Sequence, residues 1–214
     1  MRGCSVSEIR LVERDRKILR EIDRWRVCQG RHIRELTGFE GQRACDRRLR
    51  KLIEAGYIKR EKILYGVAGI YKNTAKAAKI EVLPSVNRKI RVEQLKHDIA
   101  VLDAAILLKN KYAVEFGDIK TEIELHRLDG FGVRKHRPDF VFTRDNKLIC
   151  VEIELSLKSR NRFEKNLKDN FLKYDIQIWV VPSLNSKIAQ ILEESKTTYN
   201  NIQLIELSEV QKFD

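Results

Sequence analysis

Apolar residues recur at helical spacing through the first third of the chain. A first amphipathic helix is predicted over residues 10–26, and its apolar stripe is Leu11, Ile18, Ile22 and Trp25. A short second helix is predicted within residues 29–39, where Thr37 and Gly38 end it. A third helix is predicted within residues 41–58, and its inward stripe is Cys45, Leu49, Leu52 and Ile53.

Two strand-like runs come next, at residues 57–66 and 67–73, around a turn between Gly66 and Gly69. Three helices followed by a hairpin are the element order of a winged helix-turn-helix domain. In such a domain the third helix enters the major groove of DNA, and the hairpin, or wing, contacts the backbone. We therefore expect a winged-helix DNA-binding domain over residues 1–82.

A different pattern occupies the rest of the chain. Residues 83–89 contain Pro, Ser and Asn and predict a linker. A helix is predicted over residues 90–110, and its second half is apolar almost all round. The runs that follow are a strand at 113–119 or 121–125, strands at 139–143 and 148–155, a helix at 160–174, a strand at 176–183, a helix at 185–195 and a strand at 201–207. This order, α-β-β-β-α-β-α-β, predicts a mixed α/β domain over residues 90–214.

The composition is typical of a globular protein without a membrane span. Apolar residues make up 43% of the sequence, and no run is long enough to form a transmembrane helix. Residues 1–17 contain no apolar core of a secretory signal. The four cysteines are scattered and form no CxxC pair, which is typical of a reducing compartment. We therefore expect a cytoplasmic protein that does not enter a membrane.

The formal charge is divided unevenly along the chain. Residues 1–80 hold 21 Lys and Arg against 10 Asp and Glu, whereas the remainder holds 22 against 21. Nearly all of the net charge of +12 therefore lies in the first third. This asymmetry predicts a basic module that meets a polyanion, joined to a nearly neutral module with another task. The alternative is a generic basic surface that serves solubility.

Arginines on the third predicted helix are the candidate contacts to double-stranded DNA. Arg43, Arg47 and Arg50 share one face, and an arginine can bond bidentately to guanine or clamp a phosphate. The other predicted DNA-binding residues are basic neighbours on the helix and the hairpin: Arg48, Lys51, Lys59, Arg60 and Lys62. The alternative interpretation is that these side chains only form a solvated face.

Acids inside apolar strands form a second candidate site. Asp139 follows Pro138 at the start of one predicted strand, and Glu152 and Glu154 share a face of the next. Two carboxylates that meet across a hairpin can hold Mg²⁺ or Mn²⁺, which would activate a water molecule. Without a cation, we expect repulsion to raise the pKa of at least one carboxylate. The alternative is a binding domain with an acidic, solvent-facing strand.

The Pro-Asp and the second acid resemble the motif of the PD-(D/E)xK, or restriction-endonuclease-like, fold. The resemblance implies that Asp139 and Glu152 are the metal ligands and catalytic acids. It also requires a lysine at position 154, where this chain has Glu154. Lys158 or a lysine of the next helix would then supply the ammonium, or Glu154 is a further ligand, or the fold persists without its chemistry. Residues 122–124 repeat the Glu-x-Glu pattern on an earlier predicted strand.

Five segments, taken together and in order, are similar to the replication-relaxation proteins of plasmids and integrative elements. They are RDRKIL at 14–19, RRLRKLIEAGYIKR at 47–60, LKHDIAVLD at 95–103, RPDFVF at 137–142 and VEIELSLKS at 151–159. The resemblance implies an α/β protein of two domains, in which a winged helix-turn-helix precedes a degenerate PD-(D/E)xK-like domain.

The same resemblance implies a function in plasmid or mobile-element replication. The protein would recognise origin-type DNA and support the initiation of replication or relaxation (mobilisation), with a relaxase or replication protein as its partner. One alternative is a metal-dependent DNA endonuclease or nickase that the winged helix targets. A second alternative is a transcriptional repressor. The sequence leaves open whether the second domain is an enzyme and whether the protein is a homodimer.

Overall fold

The computed structural model describes residues 9–83, 91–130, 132–157 and 159–211. The chain divides into two compact units, Met1–Ile99 and Ala100–Asp214. The division lies inside a helix rather than at the predicted linker. Most of that linker, residues 84–90, lies outside the described residues.

The first unit contains helices in the predicted order, followed by the predicted hairpin. Its elements are α1 (Glu13–Trp25), β1 (Cys28–Gln29), α2 (Gly30–Thr37), α3 (Gln42–Glu54), β2 (Ile58–Glu61), β3 (Ile70–Asn73), α4 (Ala75–Glu81) and the first part of α5 (Val92–Tyr112). The structure confirms the three predicted helices and both hairpin strands, although the strands are shorter than predicted. The short elements β1 and α4 were not predicted from the sequence.

The core of the first unit is built from the inward stripes of these helices. Leu49 and Leu52 of α3 are fully buried, as are the α1 residues Ile18 and Leu19. The prediction that Ile53 belongs to the inward stripe is wrong, because its side chain is 37% exposed. Each helical residue turns by about 100°, so Ile53 lies far round the helix from its buried neighbour Leu52.

A small antiparallel sheet closes the first unit, with strand order β1-β3-β2. The register pairs Arg60 of β2 with Tyr71 of β3. A hydrophobic cluster on this side joins Val27 and Ile70 to Leu95 and Ile99 of α5. The start of α5 therefore contributes to the core of the first unit.

The second unit carries a five-stranded sheet flanked by helices. Its elements are the rest of α5, a 3-10 turn (Phe116–Asp118), β4 (Lys120–Thr121), α6 (Glu122–Asp129), β5 (Phe140–Arg144), β6 (Lys147–Ile153), α7 (Arg160–Lys173), β7 (Ile176–Val181), α8 (Lys187–Ser195), β8 (Ile202–Glu206) and α9 (Leu207–Val210). The strand order is β4-β5-β6-β7-β8. Strands β4 to β6 pair antiparallel, whereas β6 to β8 pair parallel. This is the mixed α/β class that the sequence predicts.

The parallel half of the sheet is held by its crossover helices. Phe163 and Leu167 of α7 pack in one cluster with Trp179 of β7 and with Ile188 and Leu192 of α8. All five side chains are almost completely removed from water, which is the main favourable contribution to folding.

The antiparallel hairpin β5–β6 turns at Asp145 and Asn146, whose φ angles are 49° and 60°. Positive φ at both positions of a two-residue loop matches the twist of the flanking strands. The register pairs Phe140 with Val151. The residue just before β5, Asp139, therefore comes beside the end of β6.

The strand predicted at 113–119 or 121–125 is wrong in both positions. Residues 116–118 form the 3-10 turn, and residues 122–125 begin α6, so only Thr121 lies on a strand, β4. Thr121 and Glu124 form a capping box: the Thr121 backbone N–H donates to Glu124 Oε2 at 2.8 Å, and the Glu124 N–H donates to Thr121 Oγ1 at 3.4 Å. Such reciprocal bonds satisfy the orphan donors of a helix start. The carboxylates of Glu122 and Glu124 also lie in the first turn, which favours negative charge.

None of the helices in the described ranges combines the length and the apolar character needed to cross a bilayer.

Candidate functional site

The exposed side of α3 carries three of the predicted arginines. Arg43, Arg47 and Arg50 are all exposed, while the opposite side of the helix buries Cys45 and Leu49. No ion-pair partner for these three arginines exists among the described residues. We call them the α3 arginine face. Their guanidinium groups are available to an external anion.

Arg48 lies on another side of α3 and has a partner within the protein. Its Nε donates to Asp15 Oδ1 at 2.6 Å, a second guanidinium nitrogen contacts Asp15 Oδ2, and the same nitrogen donates to the Arg10 carbonyl at 3.2 Å. Asp15 is fully buried, and its hydrogen bond raises the pKa of Arg48. The geometry therefore gives Arg48 a structural role, whereas its neighbour Lys51 is exposed.

The hairpin carries the remaining predicted contacts. Lys59 and Lys72 both pair with Glu61, at 2.8 Å and 2.7 Å, and these hydrogen bonds lower the pKa of Glu61. The Arg60 guanidinium lies 5.9 Å from the centroid of the Tyr71 ring. Lys62 is exposed on the connection between the strands, where its Nζ lies 5.6 Å from the Tyr65 ring centroid. These cations extend the basic surface beyond α3.

The end of the β5–β6 hairpin brings the predicted acids together. The Asp139 backbone N–H donates to the Val151 carbonyl at 3.1 Å, and the Ile153 N–H donates to Asp139 Oδ2 at 2.7 Å. Glu152 and Glu154 flank Ile153 and are both buried. The structure therefore places Asp139 beside the end of β6, where Glu152 and Glu154 adjoin Ile153 in the chain, as the hairpin spacing predicts.

Glu152 is held by two side chains that the sequence analysis did not identify. His136 Nε2 lies 2.5 Å from Glu152 Oε1, and Asn170 Nδ2 of α7 donates to the same oxygen at 2.9 Å. Asn170 is itself buried, although α7 is a strongly polar helix. The sequence contains a signal for Asn170. It follows Phe163 and Leu167 at helical spacing, so a polar residue lies on the inward side of α7.

The pKa of Glu152 is raised above that of a free glutamate. Burial is the main cause, because it disfavours the charged form, and the nearby Asp139 carboxylate adds a smaller contribution in the same direction. The hydrogen bonds from His136 and Asn170 oppose this rise. The predicted direction is thus confirmed, but burial outweighs the repulsion that was expected to cause it.

These residues fit a divalent metal only in part. Within the described part of the chain, no three His, Cys, Asp or Glu side chains converge to form a metal site. Glu152 Oε1 already accepts a hydrogen bond from Asn170 and contacts His136 Nε2, and Asp139 Oδ2 accepts one hydrogen bond from the backbone. A hard cation needs several oxygen ligands at close range. We therefore derive no catalytic step through a metal.

Within its described ranges, the structure assigns no lysine to the role that the PD-(D/E)xK motif gives to the residue at position 154. Position 154 is occupied by Glu154, and Lys158 lies outside the described residues. Lys165 and Lys168 are exposed on α7, and in the described part of the structure neither forms an ion pair with the acids.

The predicted acids of residues 122–124 lie on α6 rather than on a strand. The Glu122 backbone N–H donates to the Asp139 carbonyl at 2.8 Å, so the start of α6 adjoins the acid-bearing hairpin. Glu124, however, is used by the capping box with Thr121.

Comparisons with protein families, with curated proteins and with solved structures found no match to this chain.

Proposed function

We propose that this chain is a DNA-binding protein whose first unit acts as a winged helix-turn-helix. The observation that carries the proposal is the α3 arginine face, which is exposed and has no ion-pair partner in the described structure. On a solvated face, three guanidinium groups without partners would serve only solubility, whereas on a recognition helix they contact bases and phosphates.

The arrangement of the first unit supports this role. Helices α1, α2 and α3 precede the β2–β3 hairpin, which is the order of a winged helix. The inner side of α3 is anchored in the core by Leu49 and Leu52, so its outer side is a rigid platform. Lys62 is exposed on the connection between β2 and β3, and in this role it would contact the DNA backbone.

We infer that the second unit is a PD-(D/E)xK-like platform for a protein partner rather than a nuclease. Its mixed sheet and the acids at the end of the β5–β6 hairpin support the fold assignment. Glu154 replaces the lysine of the motif, and His136 with Asn170 holds Glu152 from within the protein. In this role the protein recognises origin-type DNA and supports the initiation of plasmid or mobile-element replication or relaxation, with a relaxase or replication protein as partner.

The test of DNA binding starts with selection of a preferred duplex from a random pool by the full-length protein. Affinity is then measured by fluorescence anisotropy over a range of salt concentrations. The triple variant Arg43→Ala, Arg47→Ala, Arg50→Ala should lose specific binding. The matched control removes three exposed, unpaired lysines of the same unit, Lys17, Lys79 and Lys96, by substitution to Ala.

The control variant should retain sequence preference, because it changes only the diffuse charge of the unit. If the arginine variant keeps its melting temperature and binds the selected duplex like the wild type, the α3 arginine face is not the DNA-binding surface and the winged-helix mode is wrong. If the wild type selects no duplex, the DNA-binding function itself is wrong.

A second candidate function, a metal-dependent DNA endonuclease or nickase, is favoured by the proximity of Asp139 and Glu152. Supercoiled plasmid carrying the selected site is incubated with the protein and Mg²⁺ or Mn²⁺ and scored for nicks. The variant Asp139→Asn, Glu152→Gln should abolish any nicking. The control Glu115→Gln, Asp118→Asn removes two exposed acids of the same unit and should leave nicking unchanged.

Thermal melting separates a metal site from a metal-free one. If the acids bind the ion, Mg²⁺ or Mn²⁺ raises the melting temperature of the wild type but not that of the Asp139→Asn, Glu152→Gln variant. In the absence of metal, the Asp139→Asn, Glu152→Gln variant should be as stable as the wild type or more stable, because the substitutions remove charge from a buried position. No nicks and no metal-dependent shift would exclude the nuclease.

A further inference from the structure

A groove runs along one flank of α3, between that helix and the start of α1. Its volume is about 370 Å³. The apolar residues of its lining are Val12, Phe39 and Ala44. The lining also carries Arg14 from α1 and Arg47 and Lys51 from α3. We call this feature the α1–α3 groove.

The lining of the α1–α3 groove has a net positive charge, and its one acid among the described residues does not neutralise these three cations. Asp15 is the acid that lines it, and its carboxylate is occupied by Arg48 and by the Val12 backbone N–H, which donates at 2.8 Å. Arg47 and Lys51 are exposed and have no ion-pair partner among the described residues. An anion that enters therefore meets cations that do not first have to break an internal ion pair.

The apolar part of the lining indicates which chemical class of anion would bind in the groove. The Arg14 guanidinium lies over the Phe39 ring, 4.7 Å from its centroid, and both residues line the groove. Val12, a further apolar residue of the lining, is half exposed to water. A phosphate alone would leave this apolar surface uncovered, whereas a phosphate joined to a sugar would cover it.

Arg47 belongs both to the α3 arginine face and to the lining of the groove. A polyanion that lies on the arginine face and passes Arg47 thus continues into the groove without a gap in positive charge. We propose that the α1–α3 groove binds one backbone phosphate and the adjoining deoxyribose of the DNA strand that leaves the arginine face. This inference rests on the proposed function and assigns Arg14, Phe39 and Lys51 to a flanking backbone contact.

The contact would add affinity and register but no direct sequence readout, because phosphate and sugar are the same at every position. The test uses the full-length protein and its selected duplex. In the variant Arg14→Ala, Lys51→Ala, affinity should fall about tenfold or more at low salt. The slope of log K against log salt should become shallower by about one, the change expected when a phosphate contact is lost. Sequence preference should stay as in the wild type.

The matched control is the variant Lys17→Ala, Lys79→Ala, which removes the same charge from exposed positions outside the groove. It should keep the wild-type slope. The conservative variant Arg14→Lys, Lys51→Arg should restore most of the affinity, which a purely structural role of these residues would not explain. All of these variants keep the Asp15–Arg48 pair, so their melting temperatures should be close to that of the wild type. Measuring these temperatures confirms that the variants are folded.

Shortening the duplex one base pair at a time from each end gives a second readout. The wild type should lose affinity abruptly at one end when the flanking phosphate is removed, and the Arg14→Ala, Lys51→Ala variant should show no such step. If this variant matches the Lys17→Ala, Lys79→Ala control in affinity, slope and duplex length, the groove inference is wrong.

The outcome also separates this inference from the proposed function. When only the groove variant behaves like the control and the Arg43→Ala, Arg47→Ala, Arg50→Ala variant still loses binding, the DNA-binding function stands and the groove does not contribute. When neither variant loses binding, DNA is bound through another surface and the winged-helix mode of the proposed function fails as well; when the wild type itself binds no duplex, the proposed function fails outright. Thymidine monophosphate, added alone, is a further probe. If it raises the melting temperature of the wild type but not of the Arg14→Ala, Lys51→Ala variant, and this variant binds DNA like the wild type, the groove binds a free nucleotide and the backbone contact is wrong.

Discussion

Arg47 and Arg48 are adjacent in the chain but have different environments. Successive residues on a helix are separated by about 100°, so adjacent side chains leave the axis in different directions. Arg47 is exposed, whereas Arg48 reaches the fully buried carboxylate of Asp15, 33 residues earlier in the chain. We therefore expect the loss of Arg47 to affect binding and the loss of Arg48 to affect stability.

Replacement of Arg47 with Ala should weaken binding to the selected duplex by about 1–3 kcal/mol if the guanidinium reads a base, and should relax the preference at one base position. If it contacts only phosphate, the loss should be uniform across sequences. Anisotropy with single-base variants of the duplex distinguishes these two outcomes. Unchanged affinity for all duplexes would remove Arg47 from the interface.

Replacement of Arg48 with Met should reduce the free energy of unfolding by on the order of 3 kcal/mol, because it leaves the buried carboxylate of Asp15 without its charged partner. Urea denaturation measures the loss. The double variant Asp15→Asn, Arg48→Met should recover part of the stability, since the unpaired charge is then gone. If Arg48→Met is fully stable but binds DNA poorly, Arg48 is a DNA contact as the sequence analysis proposed.

At the scale of elements, the hairpin is the part of the first unit in which binding and internal pairing compete. Glu61 of β2 accepts hydrogen bonds from Lys59 on its own strand and from Lys72 on β3. Lys59 therefore has to share or leave Glu61 when it meets a phosphate. The acid stabilises the hairpin and at the same time restrains one of its cations.

Replacement of Glu61 with Gln should strengthen DNA binding by roughly 0.5 kcal/mol, because it removes a negative charge and releases Lys59. Binding of the wild type and the variant at low salt, measured by anisotropy, provides the comparison. Weaker binding by the Gln variant would indicate that Glu61 positions Lys59 rather than restraining it.

The same substitution should change how stability depends on pH. The pKa of Glu61 is lowered in the folded state, so its contribution is present above the pKa of the unfolded chain and is lost as pH falls through the lowered value. The wild type should exceed the variant in stability at pH 7, by less than about 1 kcal/mol for a solvent-screened pair. The difference should shrink as the pH falls below the ordinary range of a glutamate pKa and disappear once the folded protein is protonated at Glu61, which denaturation at several acidic pH values measures.

At the scale of the whole molecule, α5 connects the two units in the chain, because the division at Ile99 and Ala100 lies within this one helix. Leu95 and Ile99 are buried with Val27 and Ile70. A first unit that ended at residue 82 would leave Val27 and Ile70 without these two neighbours.

A fragment of residues 1–99 should therefore unfold cooperatively at a higher temperature than a fragment of residues 1–82. Burial of Leu95 and Ile99 is expected to contribute about 1.5–3 kcal/mol per side chain. Calorimetry of both fragments, and of fragment 1–99 with Leu95→Ala and Ile99→Ala, measures the difference. Equal stability of the two fragments would show that residues 1–82 form the complete domain, as the sequence analysis proposed.

Much of the fold follows from local signals in the sequence. The apolar stripes of α1 and α3, the hairpin around Gly66 and Gly69 and the apolar runs of β5 to β8 predict elements that the structure contains. These signals are readable because the hydrophobic period of a helix or a strand is set by neighbouring residues. The missed helix α6 also had such a signal, because Thr121 and Glu124 have the spacing of a capping box.

Chain order and charge also determined where the candidate sites lie. The arginines of α3 and the acids of the β5–β6 hairpin were identified from residue type and spacing alone, since a helix face and a paired hairpin follow from short-range periodicity. The uneven charge of the chain is likewise a property of the sequence, and no folding is needed to read it.

Only the tertiary structure decided which partner each of these side chains meets. Asp15 holds Arg48 across 33 residues, and His136 and Asn170 reach Glu152 across 16 and 18 residues. The α1–α3 groove likewise joins segments that no local pattern relates. Contacts of this kind depend on how whole elements pack, and the same hydrophobic stripe is compatible with many packings. Their polar partners are therefore fixed by the three-dimensional arrangement and not by periodicity.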